Sequence, residues 1–341
     1  MTPPERPRRG ADYTILPVVV LTGFLGSGKT SLLTRLLRDD PPGETALLIN
    51  EVGDVGIDHQ LVSPVAPEAR LLPSGCVCCS IRGELKAALL TLYEQRQRGE
   101  LPPFRRVILE TTGLADPAPI LATLSHDSQL RHHFRPGRII TVIDALNAEL
   151  QQRCHPEWLA QVGAADELVV SKDELLDSEI ELRALRESLE RLNPAAEHHL
   201  GRDATPDWLS RFVKGVTAGP MPTLRPAAWN DSLAAAHGEI RNASLVLDSP
   251  INWTHFGIWL SMLLRAHGTR LLRIKGLLDV GGAAPVAIHG VQHVLHPPQH
   301  LAAWPDDDRR SRLVFITRGI EPAMIERSLM RFMAALSHSD I

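Results

Sequence analysis

Apolar residues along this chain fall into two rhythms. Short β-branched runs at 17–22, 45–50, 106–110, 138–143 and 167–171 have the length and composition of strands buried on both faces. Longer stretches between several of them space their apolar residues three or four apart. The leucines of 29–37 follow that spacing, Leu85, Leu89 and Leu92 share one face of 83–98, and Ile180, Leu182, Leu185 and Leu189 do so in 177–192. Strands alternating with helices imply an α/β unit whose mostly parallel sheet is covered on both faces.

The rhythm breaks between about 214 and 241. Gly215, Gly219, Pro220, Pro222 and Pro226 precede an alanine-rich stretch without periodicity, which reads as an interdomain linker. A strand at 243–247, an amphipathic helix at 253–267, strands at 270–280, 285–296 and 312–317, and a helix from Glu321 then predict a smaller α+β domain.

With 341 residues and 44% hydrophobic content, the chain can bury the cores of two domains. Its 36 basic and 40 acidic residues leave a formal charge of -4, with no concentrated basic stretch, which argues against nucleic acid as a partner. No apolar run is long enough to span a membrane, since 253–264 is interrupted by Thr254, His255 and Ser261. Arg8 and Arg9 precede an apolar run at 15–21, as in a twin-arginine export signal. That run is short and enters a glycine loop without a cleavage site, so residues 1–14 are expected to be a disordered leader.

The chemistry begins at Gly23-Phe24-Leu25-Gly26-Ser27-Gly28-Lys29-Thr30, a complete P-loop pattern set between an apolar strand and a helical segment. Gly23, Gly26, Ser27, Gly28, Lys29, Thr30 and Ser31 are the expected nucleotide-binding residues. Backbone N–H groups would cradle the phosphates, Lys29 would reach the β and γ positions, and Thr30 would ligate Mg²⁺. The expected division is therefore a leader (1–14), a P-loop NTPase domain (15–213), a linker (214–241) and a C-terminal domain (242–341). Glu110 closes an apolar strand as a Walker B acid does, and the Gly113 amide could meet the γ-phosphate; a solvated loop glutamate is the alternative. Ser171, Lys172 and Glu174 stand where an Asn/Thr-Lys-x-Asp motif would read guanine, with an acid one methylene longer than aspartate.

Cys76, Cys78 and Cys79 put three thiols within four residues. So few cysteines suit thiolate chemistry in a reducing compartment, and a cytoplasmic location is expected. Three soft ligands bind Zn²⁺ or Cu⁺ and leave a fourth position for water, Glu51 or a partner's ligand; a buried apolar cluster and thiol redox chemistry remain open. The segment 50–58, with Glu51, Asp54 and Asp58 among glycines, suits either a switch or an ordinary acidic loop. Along one strand His289 and His293 would share a face and His296 would oppose them. These and His300 read as structural or client-contacting, with an auxiliary metal site as the alternative.

The motifs Gly-Phe-Leu-Gly-Ser-Gly-Lys-Thr, Asn-Glu-Val-Gly-Asp-Val-Gly-Ile-Asp, Gly-Cys-Val-Cys-Cys and Glu-Thr-Thr-Gly-Leu-Ala-Asp-Pro, in that order, resemble those of the CobW metallochaperone GTPases. Segments 272–277, 289–293 and 311–316 resemble the C-terminal domain of the same family. The resemblance implies a Mg²⁺-dependent GTPase, and Lys29, Glu110 and Glu51 are the expected catalytic residues. It further implies Zn²⁺ or Co²⁺ carried on Cys76, Cys78 and Cys79 and transferred to a client metalloprotein. A homo-oligomer is left open, as is a regulatory sensor gated by nucleotide and metal without required turnover. Glu174 departs from the family's guanine-reading aspartate, and no histidine-rich segment is present.

Overall fold

The computed structural model describes residues 15–38, 40–41, 43–50, 70–72, 80–205, 208 and 240–337. The expected leader and the Cys-x-Cys-Cys segment lie outside them, as does the expected linker apart from Ile240 and Arg241, which already belong to a strand.

A seven-stranded parallel sheet organises the first part of the chain. Its strands are β1 (Leu16–Thr22), β2 (Thr45–Asn50), β3 (Arg70–Leu72), β4 (Arg106–Glu110), β5 (Phe134–Asp144), β6 (Glu167–Ser171) and β7 (Glu197–Leu200), in the order β3-β2-β4-β1-β5-β6-β7. Every position of central β1 is buried, as a parallel strand covered on both faces requires. One face carries Val19, Leu21, Leu47, Ile49 and Ile108 against Leu32, Leu33, Leu36 and Leu37 of helix α1 (Lys29–Arg38). The other carries Val18, Val20, Leu48, Val107 and Leu109 against α2 (Ser80–Arg98) and α3 (Ala118–His126). Each fully buried leucine contributes on the order of 1.5–3 kcal/mol, so these leucine stripes suffice to hold the helices to the sheet. Helices α4 (Ala148–Cys154), α5 (Pro156–Ala164) and α6 (Glu179–Leu192) contribute to a further core at the β5–β6 side. Strand β7 was not legible in sequence: its residues, Glu-His-His-Leu, are an only partly buried edge.

An antiparallel sheet forms the second part, from β8 (Ile240–Leu247), β9 (Leu271–Leu278), β10 (Val286–Val291), β11 (Val294–Leu295), β12 (Gln299–His300) and β13 (Ser311–Arg318). Ile274, Ile288, Leu313 and Phe315 pack under α7 (Trp253–His267) and α8 (Pro322–Ser337). Leu272, Val314 and Ile316 instead meet Ala195 of the first domain.

The single strand expected over 285–296 is a hairpin. Gln292, at φ 51°, turns the chain so that Gly290 pairs Leu295 and Val291 pairs Val294. That register sets His296 opposite His289, whose carbonyl accepts the His296 amide at 2.9 Å. The two imidazoles therefore share a face, correcting the opposite faces that strand alternation implied. Both Nε2 atoms are buried without a protein hydrogen bond. Burial, reinforced by the cations of Arg273 and Lys275, lowers His289 to about 3. Burial and Arg273 lower His296 to about 4. The rings are therefore neutral near pH 7, and the cations of Arg273 and Lys275 are the feature that opposes a metal ion beside His289.

Those cations belong to a buried interdomain cluster. Arg273 pairs with Asp166, the residue just before β6, and donates to the Ala164 carbonyl at 3.2 Å. Lys275 Nζ lies 3.6 Å from Asp166 and donates to the Ala195 carbonyl at 2.5 Å. Burial opposes the Asp166 charge, but Arg273, Lys275 and Arg138 hold its carboxyl well below the usual range. Burial likewise lowers Lys275 to about 8, with Asp166 opposing the shift.

Replacing Asp166 by Asn strips this cluster of its carboxylate, and a loss of roughly 3–5 kcal/mol is expected in urea denaturation. The paired histidines give a second expectation. Unfolded histidine protonates near 6.5 and the folded pair only near 3 and 4, so the unfolded state binds more protons in between. Stability therefore falls as the pH drops below about 6.5. A His289→Leu, His296→Leu variant should flatten that slope in thermal denaturation.

Candidate nucleotide site

Because β4, β1, β5 and β6 run parallel, their carboxyl ends lie along one rim, where ligands of such sheets bind. The glycine loop leaves β1 there. Gly23 sits at φ +140°, and a Cβ on it would lie 2.4 Å from the Val142 carbonyl oxygen of β5, so only glycine fits. Phe24 anchors the loop in the core of Ile143, Ala148 and Trp158 and packs against the tilted ring of His155, centroids 4.4 Å apart. Lys29 donates to the carbonyls of Gly23 and Phe24 at 2.9 and 3.2 Å, which folds its ammonium over the loop. Ser27 is buried, Gly26 and Ser31 are exposed, and Gly28 lies between.

On the hydrolytic side, the Thr30 hydroxyl donates to Glu110 Oε1 at 2.7 Å, and Glu110 is buried at the end of β4. A hydroxyl and a carboxylate beside a phosphate loop are hard oxygen donors of the kind Mg²⁺ takes, so the residues present fit that ion. Gly113 crosses directly over the P-loop: a Cβ there would lie 2.5 Å from the Leu25 nitrogen. Gln161 of α5 fixes this crossing, donating from Nε2 to the carbonyls of Gly113 and Ala115 at 3.1 and 3.0 Å. In sequence the only hint of this is a glutamine in the mostly apolar second half of that helix.

On the base side, the Ser171 hydroxyl lies 2.6 Å from the Ser27 carbonyl oxygen and 3.0 Å from that of Ile143, tying β6 to the P-loop. Lys172, left-handed at φ 58°, donates to Asp144 at 2.7 Å. Asp144 also accepts from Asn147 Nδ2 and the Leu146 amide at 2.9 and 3.0 Å. Burial pushes its carboxyl up, but Lys172 and these donors outweigh that and hold it below its usual value. In sequence Asp144 is only a strand-terminal acid, so its service to Lys172 was missed. Asp173 is buried against Arg202 at 2.7 Å, whereas Glu174 is exposed.

Glu51, Cys76, Cys78 and Cys79 lie outside the described residues. Among those described, Glu167, Glu197 and His199 bring potential ligand atoms within 4.8 Å of one another. Arg138 already contacts both carboxylates, at 2.5 and 3.5 Å, which supplies their counter-charge without a metal. No described helix is long and apolar enough to cross a membrane.

A parallel sheet with this glycine loop between β1 and α1 makes the molecule a P-loop nucleotide-binding protein, extended by an antiparallel domain. The chain belongs to the CobW family. Residues 17–199 match the CobW/HypB/UreG nucleotide-binding domain, and residues 240–333 match the cobalamin synthesis protein cobW C-terminal domain. It is 31% identical over 303 residues to the zinc chaperone YjiA of Escherichia coli, covering 88% of this chain and 93% of that protein. A zinc-regulated GTPase metalloprotein activator 1 from Schizosaccharomyces pombe is 34% identical over 189 residues, covering 53% of this chain and 44% of that one. The crystal structure of Zn(II)-bound YjiA GTPase superposes with a TM-score of 0.72 at 24% identity, covering 94% of this chain and 99% of that one, and shares the fold.

Gly113→Ala tests the crossing over the P-loop. Its methyl group would displace the loop from Leu25, and a fall in nucleotide hydrolysis of about a hundredfold, the cost of a misplacement near 1 Å, is expected in a phosphate-release assay.

Proposed function

We propose that this protein is a cytoplasmic GTPase that carries zinc, with cobalt as the alternative cargo, on Cys76, Cys78 and Cys79 and passes it to a client metalloprotein. The reading rests on sheet topology. Strand β3 runs parallel to β1 and ends at Leu72 toward the same carboxyl rim from which the P-loop leaves β1, and the first cysteine follows four residues later. The naming of relatives as a zinc chaperone and as a zinc-regulated GTPase metalloprotein activator supports the same reading.

In this mechanism the P-loop amides and the positive end of α1 hold the triphosphate, and Lys29 swings from its loop carbonyls to the β and γ oxygens. Thr30 and Glu110 are the residues that would hold Mg²⁺, which would supply positive charge to the phosphates during hydrolysis. The Gly113 loop meets the γ-phosphate and relaxes once water has cleaved the β–γ anhydride to GDP and phosphate. Ser171 and Lys172 set the base pocket, and Glu174 accepts from the guanine edge with its longer side chain.

Distance shapes the coupling. Strands β3 and β1 stand three spacings apart, about 14 Å, so the cysteines sense the γ-phosphate through an intervening loop rather than by contact. The 50–58 segment after β2, with Glu51 as a fourth metal ligand or hydrolytic group, is the intermediary in this reading.

Metal titration in the apo, GDP and GTP-analogue states, with Mg²⁺ present, tests the proposal. Affinity should change with nucleotide and be lost in a Cys76→Ala, Cys78→Ala, Cys79→Ala variant. Equal affinity in all three states refutes the coupling, and undiminished binding by the variant moves the metal elsewhere. Full client activation by a non-hydrolysable analogue would favour a sensor over a carrier.

A further inference from the structure

The β10–β11 hairpin of the C-terminal domain reaches into the nucleotide-binding domain beside the loop that crosses the P-loop. Val291 and Val294, one on each side of its tip, are buried in the same cluster as Ile120, Leu121 and Leu124 of α3. Between them Gln292 adopts a left-handed backbone, which residues with a Cβ avoid unless their surroundings impose it. Its amide donates to the Leu271 carbonyl at 2.9 Å, fastening the tip to the start of β9. Its side chain turns outward from the hairpin, and Nε2 donates to Asp116 Oδ2 at 2.9 Å.

Asp116 lies three residues after Gly113. Its other oxygen accepts the Ala118 amide at 2.9 Å, which ties it to the first turn of α3. The segment 113–116 is thereby held at both ends: Gln161 grips the carbonyls of Gly113 and Ala115, and Gln292 grips Asp116. Movement of Gly113 away from the P-loop must be shared with one of these two partners, and Gln292 belongs to the other domain.

We propose that Gln292 is a positioning residue for nucleotide hydrolysis, through which the C-terminal domain sets the γ-phosphate-facing loop. The inference rests on the GTPase reading above. Hydrolysis and the arrangement of the C-terminal sheet are then linked in both directions, so a partner docking on that sheet tunes turnover.

Steady-state GTP hydrolysis by the full chain tests this. Gln292→Glu replaces the donor with a carboxylate facing Asp116, and kcat should fall about tenfold, the scale of one lost hydrogen bond, with KM for GTP little changed. Adding Asp116→Asn restores the bond with its polarity reversed, since Asn Nδ2 can donate to the new carboxylate while its Oδ1 still accepts the Ala118 amide. Rescue of kcat in the double variant is the expected signature, and a merely structural role would not produce it. An unchanged kcat in Gln292→Glu, or a loss that Asp116→Asn does not repair, overturns the proposal. Wild-type protein without GTP turnover would instead defeat the GTPase reading, and hydrogen exchange then decides the linkage. A GTP analogue should protect residues 290–295 in the wild type and not in Gln292→Glu; equal exchange in both overturns it.

Discussion

Burial of β1 on both faces and along both edges is the constraint from which the rest follows. A strand of seven buried residues, paired in parallel with β4 and β5, can release its chain only at the sheet's rim. There the backbone must turn at once into α1 without touching β5, and Gly23 answers that requirement. Because the neighbours are parallel, Glu110, Asp144 and Ser171 arrive at the same rim as the last residues of their own strands. The nucleotide site is therefore an edge of the hydrophobic core, and its precision is inherited from sheet register.

The join between the domains follows different physics. An apolar patch of Leu272, Val314, Ile316 and Ala195 supplies contact, but at its side Arg273 and Lys275 are buried against Asp166. Charge taken out of water is a weak source of net stability, since desolvation offsets most of the attraction. Its effect is to penalise any other packed arrangement: sliding one domain along the other would leave two cations buried without their carboxylate. The domains are thus held in one relation, in which Gln292 can meet Asp116.

Much of the fold was legible because it rests on local repetition. The strands at 45–50, 106–110 and 167–171 and the helix at 253–267 occur with the bounds that apolar spacing implied. Polar or short elements were not legible. Strand β7 presents Glu197, His198 and His199, and α4 presents Gln151, Gln152 and Arg153, so neither carries an apolar rhythm. The hairpin at Gln292 was missed because no glycine or asparagine marks its turn.

The sequence by itself determined the P-loop, the parallel class of the sheet and the family, because each depends on residue types at fixed spacing along the chain. Tertiary structure alone decided that Asp144 steadies Lys172, that Gln161 grips the Gly113 loop, that His289 faces His296, and that Gln292 crosses between domains. These pairings join residues whose side chains meet only after strands and helices have packed. A buried hydrogen bond has an energetic scale comparable to any local preference, yet it leaves no periodic trace for a reader of the chain to find.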